Sequence, residues 1–383
     1  MKKVFILFFT LLLLPGCARD QADSSVSSRP DNTSVTQQPV ASFDFSQAVV
    51  AVRNGQAFLW DGTQTVLLPG SGLVTAAAFS PKERTLIVVK PSGDRFDVWL
   101  QTFSPTVQST DEQLLFSSRF SIDYISISPL GTHVAFVQEL VRSADSVTAA
   151  EGNGITHFQV AVYDMAAQQL QTLPGSGMFP SWSDDGKSLL YLDAGEETAG
   201  GFAVILQRLD IRGIFGEGQK ILANVDFATF FRDDVLLSHF DDDRVLLSMY
   251  DVSQQTQRDV TELSFVQERP KFQFFQISPQ HDALLWTQFR TESKSLLDTW
   301  LLPMGEQGIP RHVLPQSDRV LWYNNGTVLY APVYTTLSDG EFFLLNIDEP
   351  DALAASVFAA DNLATVSTYA SDISFLFHKL IKP

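Results

Sequence analysis

The side chains that could do chemistry in this chain are few and scattered. Six histidines, His133, His157, His239, His281, His312 and His378, show no ligand spacing such as His-x-x-x-His. HFDDDR (239–244) is the one dense acidic run. A calcium loop would take about six to eight oxygens from alternating positions and a glycine turn. Three consecutive aspartates between apolar runs read instead as a polar hairpin turn. No Gly-x-Ser-x-Gly nucleophile elbow and no phosphate-cradling glycine loop occurs. The chain is thus expected to be non-enzymatic, with no cofactor and no metal. The single thiol, Cys17, excludes a disulfide within the chain and any cysteine-based metal site.

Cys17 lies just after MKKVFILFFTLLLLPG. Lys2 and Lys3 form a charged start, and Val4 to Leu14 an apolar run too short to span a bilayer, which needs about 20 helical residues. Residues 1–16 therefore read as a secretory signal. Leu14-Pro15-Gly16-Cys17 resembles a bacterial lipobox, with Leu at −3 and a small residue at −1; Pro15 departs from the commoner Ala, Ser or Thr. The resemblance implies cleavage after Gly16 and diacylglycerol on Cys17. Acyl chains at about 0.8 kcal/mol per buried methylene would hold a soluble domain on a membrane. The alternative is an ordinary cleaved signal with an incidental cysteine. Residue 18 is Ala rather than the Asp that marks inner-membrane retention, which implies the periplasmic face of the outer membrane if the host is diderm. The expected location is extracytoplasmic. Residues 17–44 carry the cysteine and a Ser-, Thr-, Gln- and Pro-rich tether.

The formal charge is −18, and loss of the two signal lysines leaves about −20. Such a surface excludes nucleic acid as a partner and disfavours direct adhesion to anionic lipid. Hydrophobic residues make up 45% of the 383, enough for a large core.

What must position any site is a repeat. PSWSDDGKSLLYLD (180–193) has relatives in AAAFSPKERTLIVVK (76–90), YISISPLGTHVAFVQ (124–138) and FFQISPQHDALLWTQ (274–288). Each reads as a short strand, a Ser-Pro or Ser-Asp turn, and a second strand. Weaker copies are DFATFFRDDVLLSHF (226–240), DRVLWYNNGTVLYAP (318–332) and LATVSTYASDISFLF (363–377). The seven first strands start near 75, 123, 178, 226, 273, 318 and 364, about 48 residues apart. A second hairpin runs between them, clearest in VYDMAAQQLQTL (162–173) and MYDVSQQTQRDV (249–260), with further copies from Asp61 to Asp348. The chain begins with a second hairpin and ends with a first one.

Four short strands per repeat predict an all-β fold, a seven-bladed β-propeller of four-stranded antiparallel blades over 45–383. Six or eight blades are the neighbouring alternatives. The N- and C-terminal strands would share one blade and close the ring. Either Ala48–Arg53 or Ile373–Lys379 could supply its second strand. WSDDGKSLLY, FSPKERTLIVV, ISPLGTHVAFV and ISPQHDALLWT resemble the WD40-like, or PD40, repeat of TolB-type propellers. Its residues build the turn, so Asp184, Asp185 and Gly186 are expected to be structural, and the resemblance is nearly silent on function.

The longest connections are LVRSADSVTAAEGNGITH (140–157), DAGEETAGG (193–201), FRTESKSLLD (289–298) and YTTLSDGE (334–341). They are expected to join second to third strands and to crowd one rim. A rigid ring with long loops on one rim suits a binding platform; idle solvent loops are the alternative. Candidate partner contacts on that rim are Arg142, Asp145, Glu151, His157, Glu196, Glu197, Arg290, Glu292 and Lys294. The expected function is a monomeric, non-catalytic scaffold, held on the membrane through Cys17, that binds an envelope protein or a glycan of the cell wall. The alternative is a propeller enzyme, glycosidase- or lactonase-like, that gathers carboxylates at the central channel.

Overall fold

The structure is a computed structural model that describes residues 43–53, 56–68, 73–107, 109–140, 157–193, 202–209, 215–241, 244–264, 273–289, 297–304, 309–314, 317–324, 326–332, 341–349, 355–359, 362–363 and 365–366. The signal, Cys17 and the tether up to residue 42 lie outside them; Phe43 and Asp44, expected as the end of the tether, are described, with Phe43 in the core. The fold is a seven-bladed propeller of antiparallel sheets. No helix among the described residues is long and apolar enough to cross a membrane.

Six blades are built from consecutive strands. The first strands, nearest the axis, are Ala76–Ser80 in blade 2, Ser121–Ile127 in blade 3 and Gly177–Trp182 in blade 4. Phe227–Phe231, Gln273–Ile277 and Ser317–Asn324 do the same in blades 5, 6 and 7. Each start falls within two residues of the position expected from the repeat. Blade 1 is the shared one. Its order is Asn362–Leu363, Val49–Arg53, Gln56–Trp60, Thr65–Leu67. Val49–Arg53 thus takes the second position, with Ala51 opposite Leu363 on one side and Phe58 on the other. Ile373–Lys379 lies outside the described residues. Most of the last hairpin of the repeat, residues 367–377, lies outside the described residues. After Leu363 the chain places Thr365–Val366 parallel to Ala78–Phe79, as a fifth strand on the inner edge of blade 2.

Alternation along each strand sends apolar side chains to both faces, because every blade is packed between two others. Val88, Leu190 and Leu284 are fully buried in this way. One large apolar cluster runs from Tyr124 in blade 3 through Leu190 and Leu237 to Trp286 in blade 6. Another joins blades 1 and 2 and takes in Phe43 and Phe45, whose ring packs 6.1 Å from Phe79 and 6.5 Å from Phe103.

Candidate binding surfaces

The turns between first and second strands surround one mouth of the channel, and their serines explain the repeat. Ser128 Oγ accepts from the N–H of Thr132 (3.2 Å) and His133 (3.1 Å). Ser278 Oγ accepts from Asp282 and Ala283, both at 3.0 Å. Ser183 Oγ accepts from the Ser188 N–H at 2.9 Å and donates to Asp185 at 2.7 Å. All three serines are buried, and each hydroxyl accepts from one or two amides of its own turn. Gly186 follows at φ +65, where a Cβ would come within 2.9 Å of Leu130. Asp185 accepts a second bond from the Lys187 N–H (3.0 Å). Burial works to raise its pKa, but the Ser183 hydroxyl, the Lys187 N–H and the Lys187 charge outweigh it and hold the carboxyl below its usual range. Asp185 and Gly186 are therefore turn residues, as expected. Asp184 instead reaches away from its own turn, its Oδ2 lying 3.5 Å from Nε2 of His281, two blades on.

Just behind that mouth, the residue two before the turn is polar in several first strands. Ser181 and Thr229 hydroxyls meet at 3.1 Å between blades 4 and 5. Gln276 donates its amide to the Val320 carbonyl, and Trp322 Nε1 donates to the Gln276 carbonyl at 3.2 Å, between blades 6 and 7. This belt of neutral groups was visible in SISP, SWSD and QISP, yet the sequence reading passed over it. Among the described residues, no group of three or more His, Cys, Asp or Glu could hold a metal ion.

The second hairpins use aspartate in the same way. Asp164 Oδ1 accepts from Ala166 and Ala167 (2.8 and 2.9 Å), and Asp251 Oδ1 from Ser253 and Gln254 (both 2.8 Å). In blade 1 Asp61 accepts from Thr63 and Gln64, and also from the N–H of Asp44 at 3.1 Å. Burial pushes the Asp61 carboxyl up, but these amides and the Gln64 side chain together hold it at about 2. Beside it, Gly62 at φ +96 leaves room for Tyr323 of blade 7: a Cβ there would lie 2.3 Å from the phenol oxygen. Burial, followed by the charges of Asp61 and Asp44, pushes that phenol up to about 12.

The strand ends that the long connections join lie at the opposite rim. Chain order places 141–156, 194–201, 290–296 and 333–340 between second and third strands, as expected. Arg142, Asp145, Glu151, Glu196, Glu197, Arg290, Glu292 and Lys294 lie outside the described residues. His157 is the first residue of the strand His157–Asp164, paired with Leu140. On this same side the strands that flank HFDDDR pair antiparallel, with Asp241 opposite Arg244; Asp242 and Asp243 lie outside the described residues.

No family model matches the chain, and no curated protein matches it. Solved structures do. The chain is similar to a putative 6-phosphogluconolactonase from Bacteroides fragilis (12% identity, 84% of this chain and 97% of that one, TM-score 0.52). It is also similar to an oligogalacturonate lyase in complex with manganese (13%, 82% and 84%, TM-score 0.51). TolB from Acinetobacter baumannii matches at 13% identity over 82% of this chain and 79% of that one, with a TM-score of 0.45. At such identities the likeness is one of fold alone.

Proposed function

We propose that this protein is an extracytoplasmic lipoprotein, anchored through a diacylglycerol on Cys17, whose propeller is a non-catalytic scaffold for an envelope protein or a cell-wall glycan. The observation that carries this reading is the use the turns make of their own polar groups. The Ser-Asp and Tyr-Asp motifs that repeat around the ring are engaged with backbone amides, as Asp185, Asp164 and Asp251 illustrate. A general acid needs a carboxyl whose pKa is raised toward neutrality. Asp185 and Asp251 are lowered, the latter chiefly by the Gln254 N–H and the Ser253 hydroxyl. The motif residues thus build a rigid frame, and recognition is left to the rim of long connections.

Cross-linking in intact cells, followed by mass spectrometry of the adducts, tests this reading. One recurrent envelope partner, lost or relocated in Cys17→Ser, is the expected result. An unmodified mature N-terminus, or turnover of a glycan or lactone that disappears on mutating channel carboxylates, would overturn it.

A further inference from the structure

A cleft of about 340 Å³ opens between blades 4 and 5, away from the channel. Its origin is local. Alternation puts Leu206 and Arg208 of the strand Phe202–Arg208 on the side of blade 4 that faces blade 5, and the register sets Gln219 opposite Leu206, with Ile221 on the same side. The connection that leaves Arg208 is tied to the other neighbour. Gln171 of blade 3 donates its amide to the Phe215 carbonyl (2.8 Å) and accepts from the Phe215 N–H (3.1 Å), while the Phe215 ring packs on Trp182.

The lining has two parts. Leu206, Ile221 and Tyr250 make an apolar floor continuous with the core. Arg208, Gln219 and Gln255 stand exposed at the rim. The volume lies at the small end of ligand pockets, roughly 300–1,000 Å³. Among the described residues that line it, Arg208 bears the only charge, in a chain of net charge −18. A guanidinium prefers a carboxylate, which it can hold with two parallel bonds. The two amides each donate and accept, as a peptide backbone requires.

We infer that this cleft binds the free C-terminus of a peptide, its carboxylate on Arg208 and its last apolar side chain on the Leu206–Ile221–Tyr250 floor. The inference goes beyond the scaffold reading: the cleft is a second site, at the third-to-fourth strand turns of blades 4 and 5 and not on the rim of long connections. Its test can fail while the cell cross-linking succeeds, and the reverse.

The probe is a fluorescein-labelled hexapeptide, Gly-Ser-Gly-Ser-Ala-Leu, as free acid and as C-terminal amide, titrated with the full chain by fluorescence anisotropy. The acid is expected to bind about tenfold more tightly than the amide, the difference that one charge-assisted pair supplies. Arg208→Gln should bring the acid down to the amide, and Ile221→Trp, which fills the floor, should abolish both. Circular dichroism checks that each variant is folded, and Gln255→Trp at the rim replaces Ile221→Trp if that variant is not. Equal affinity for acid and amide, binding unchanged in both variants, or no binding at millimolar protein would overturn the inference.

Discussion

Asp61 and Asp251 occupy the same place in two copies of one repeat, FLWDGTQ and SMYDVSQ, and they do different work. Both end a third strand and accept two backbone amides from the turn that follows. Asp61 is 7% exposed and sits at the seam between blades 1 and 7. There it also holds Asp44, while Trp60 lies against Tyr323 with ring centroids 4.9 Å apart. Asp251 lies on the outside of blade 5, and its charge falls on Asp234. Burial and then the Asp251 charge push the Asp234 carboxyl up. The turn chemistry belongs to the repeat. Its energetic weight belongs to the neighbours, and it is greatest where the two ends of the chain close the ring.

The largest test is to remove the seam carboxylate. Asp61→Ala should cost about 2–3 kcal/mol, because several part-buried donors lose their charged acceptor at once. Denaturant unfolding at pH 7 measures it. The pH dependence has a definite sign. A carboxyl held at about 2 rather than 3.8 stabilises the native state fully above pH 4. That contribution, on the order of 2 kcal/mol, fades as pH falls toward 2 and is absent from the Asp61→Asn variant. Stability curves of the two proteins should therefore converge in acid.

Next comes Gly62→Ala. The left-handed backbone and the Tyr323 oxygen both oppose a Cβ, for a cost of about 1–2 kcal/mol. Tyr323→Phe in the same chain should recover part of it, since the oxygen in the way is gone. Asp251→Ala should lower the unfolding midpoint much less than Asp61→Ala; equal losses would mean that the seam adds nothing to the turn. Smallest is Asp234→Asn, which should raise the midpoint by about one degree at pH 7. The native carboxyl of Asp234 is raised, so its penalty is present at high pH and disappears as pH falls through that raised value toward 3.8. The gain should vanish over the same range.

The repeat located every first strand to within two residues, most clearly where Ser-Pro and Ser-Asp turns mark it, because serine, glycine and aspartate satisfy local amides and leave a local trace. The hairpin at HFDDDR was legible for the same reason. What spacing could not carry was contact between blades. Nothing local to Asp61 announces Tyr323, nothing near Asp184 announces His281, and the clamp of Gln171 on Phe215 joins segments that only the closed ring brings together. The parallel strand Thr365–Val366 escaped for a related reason. Its two residues pair with blade 2, a contact that nothing in their own repeat records.

With the turn motifs engaged in the frame, the proposed scaffold would meet its partner at the rim of second-to-third connections. The most direct measurement sets a photo-cross-linking amino acid at His157, where that rim begins, and at Lys82, in the first-to-second turn of blade 2 at the opposite mouth. Irradiation of intact cells should give one recurrent adduct from position 157 and none from position 82. A recurrent adduct from 82 with none from 157 would contradict the scaffold reading and move the binding site to the channel mouth.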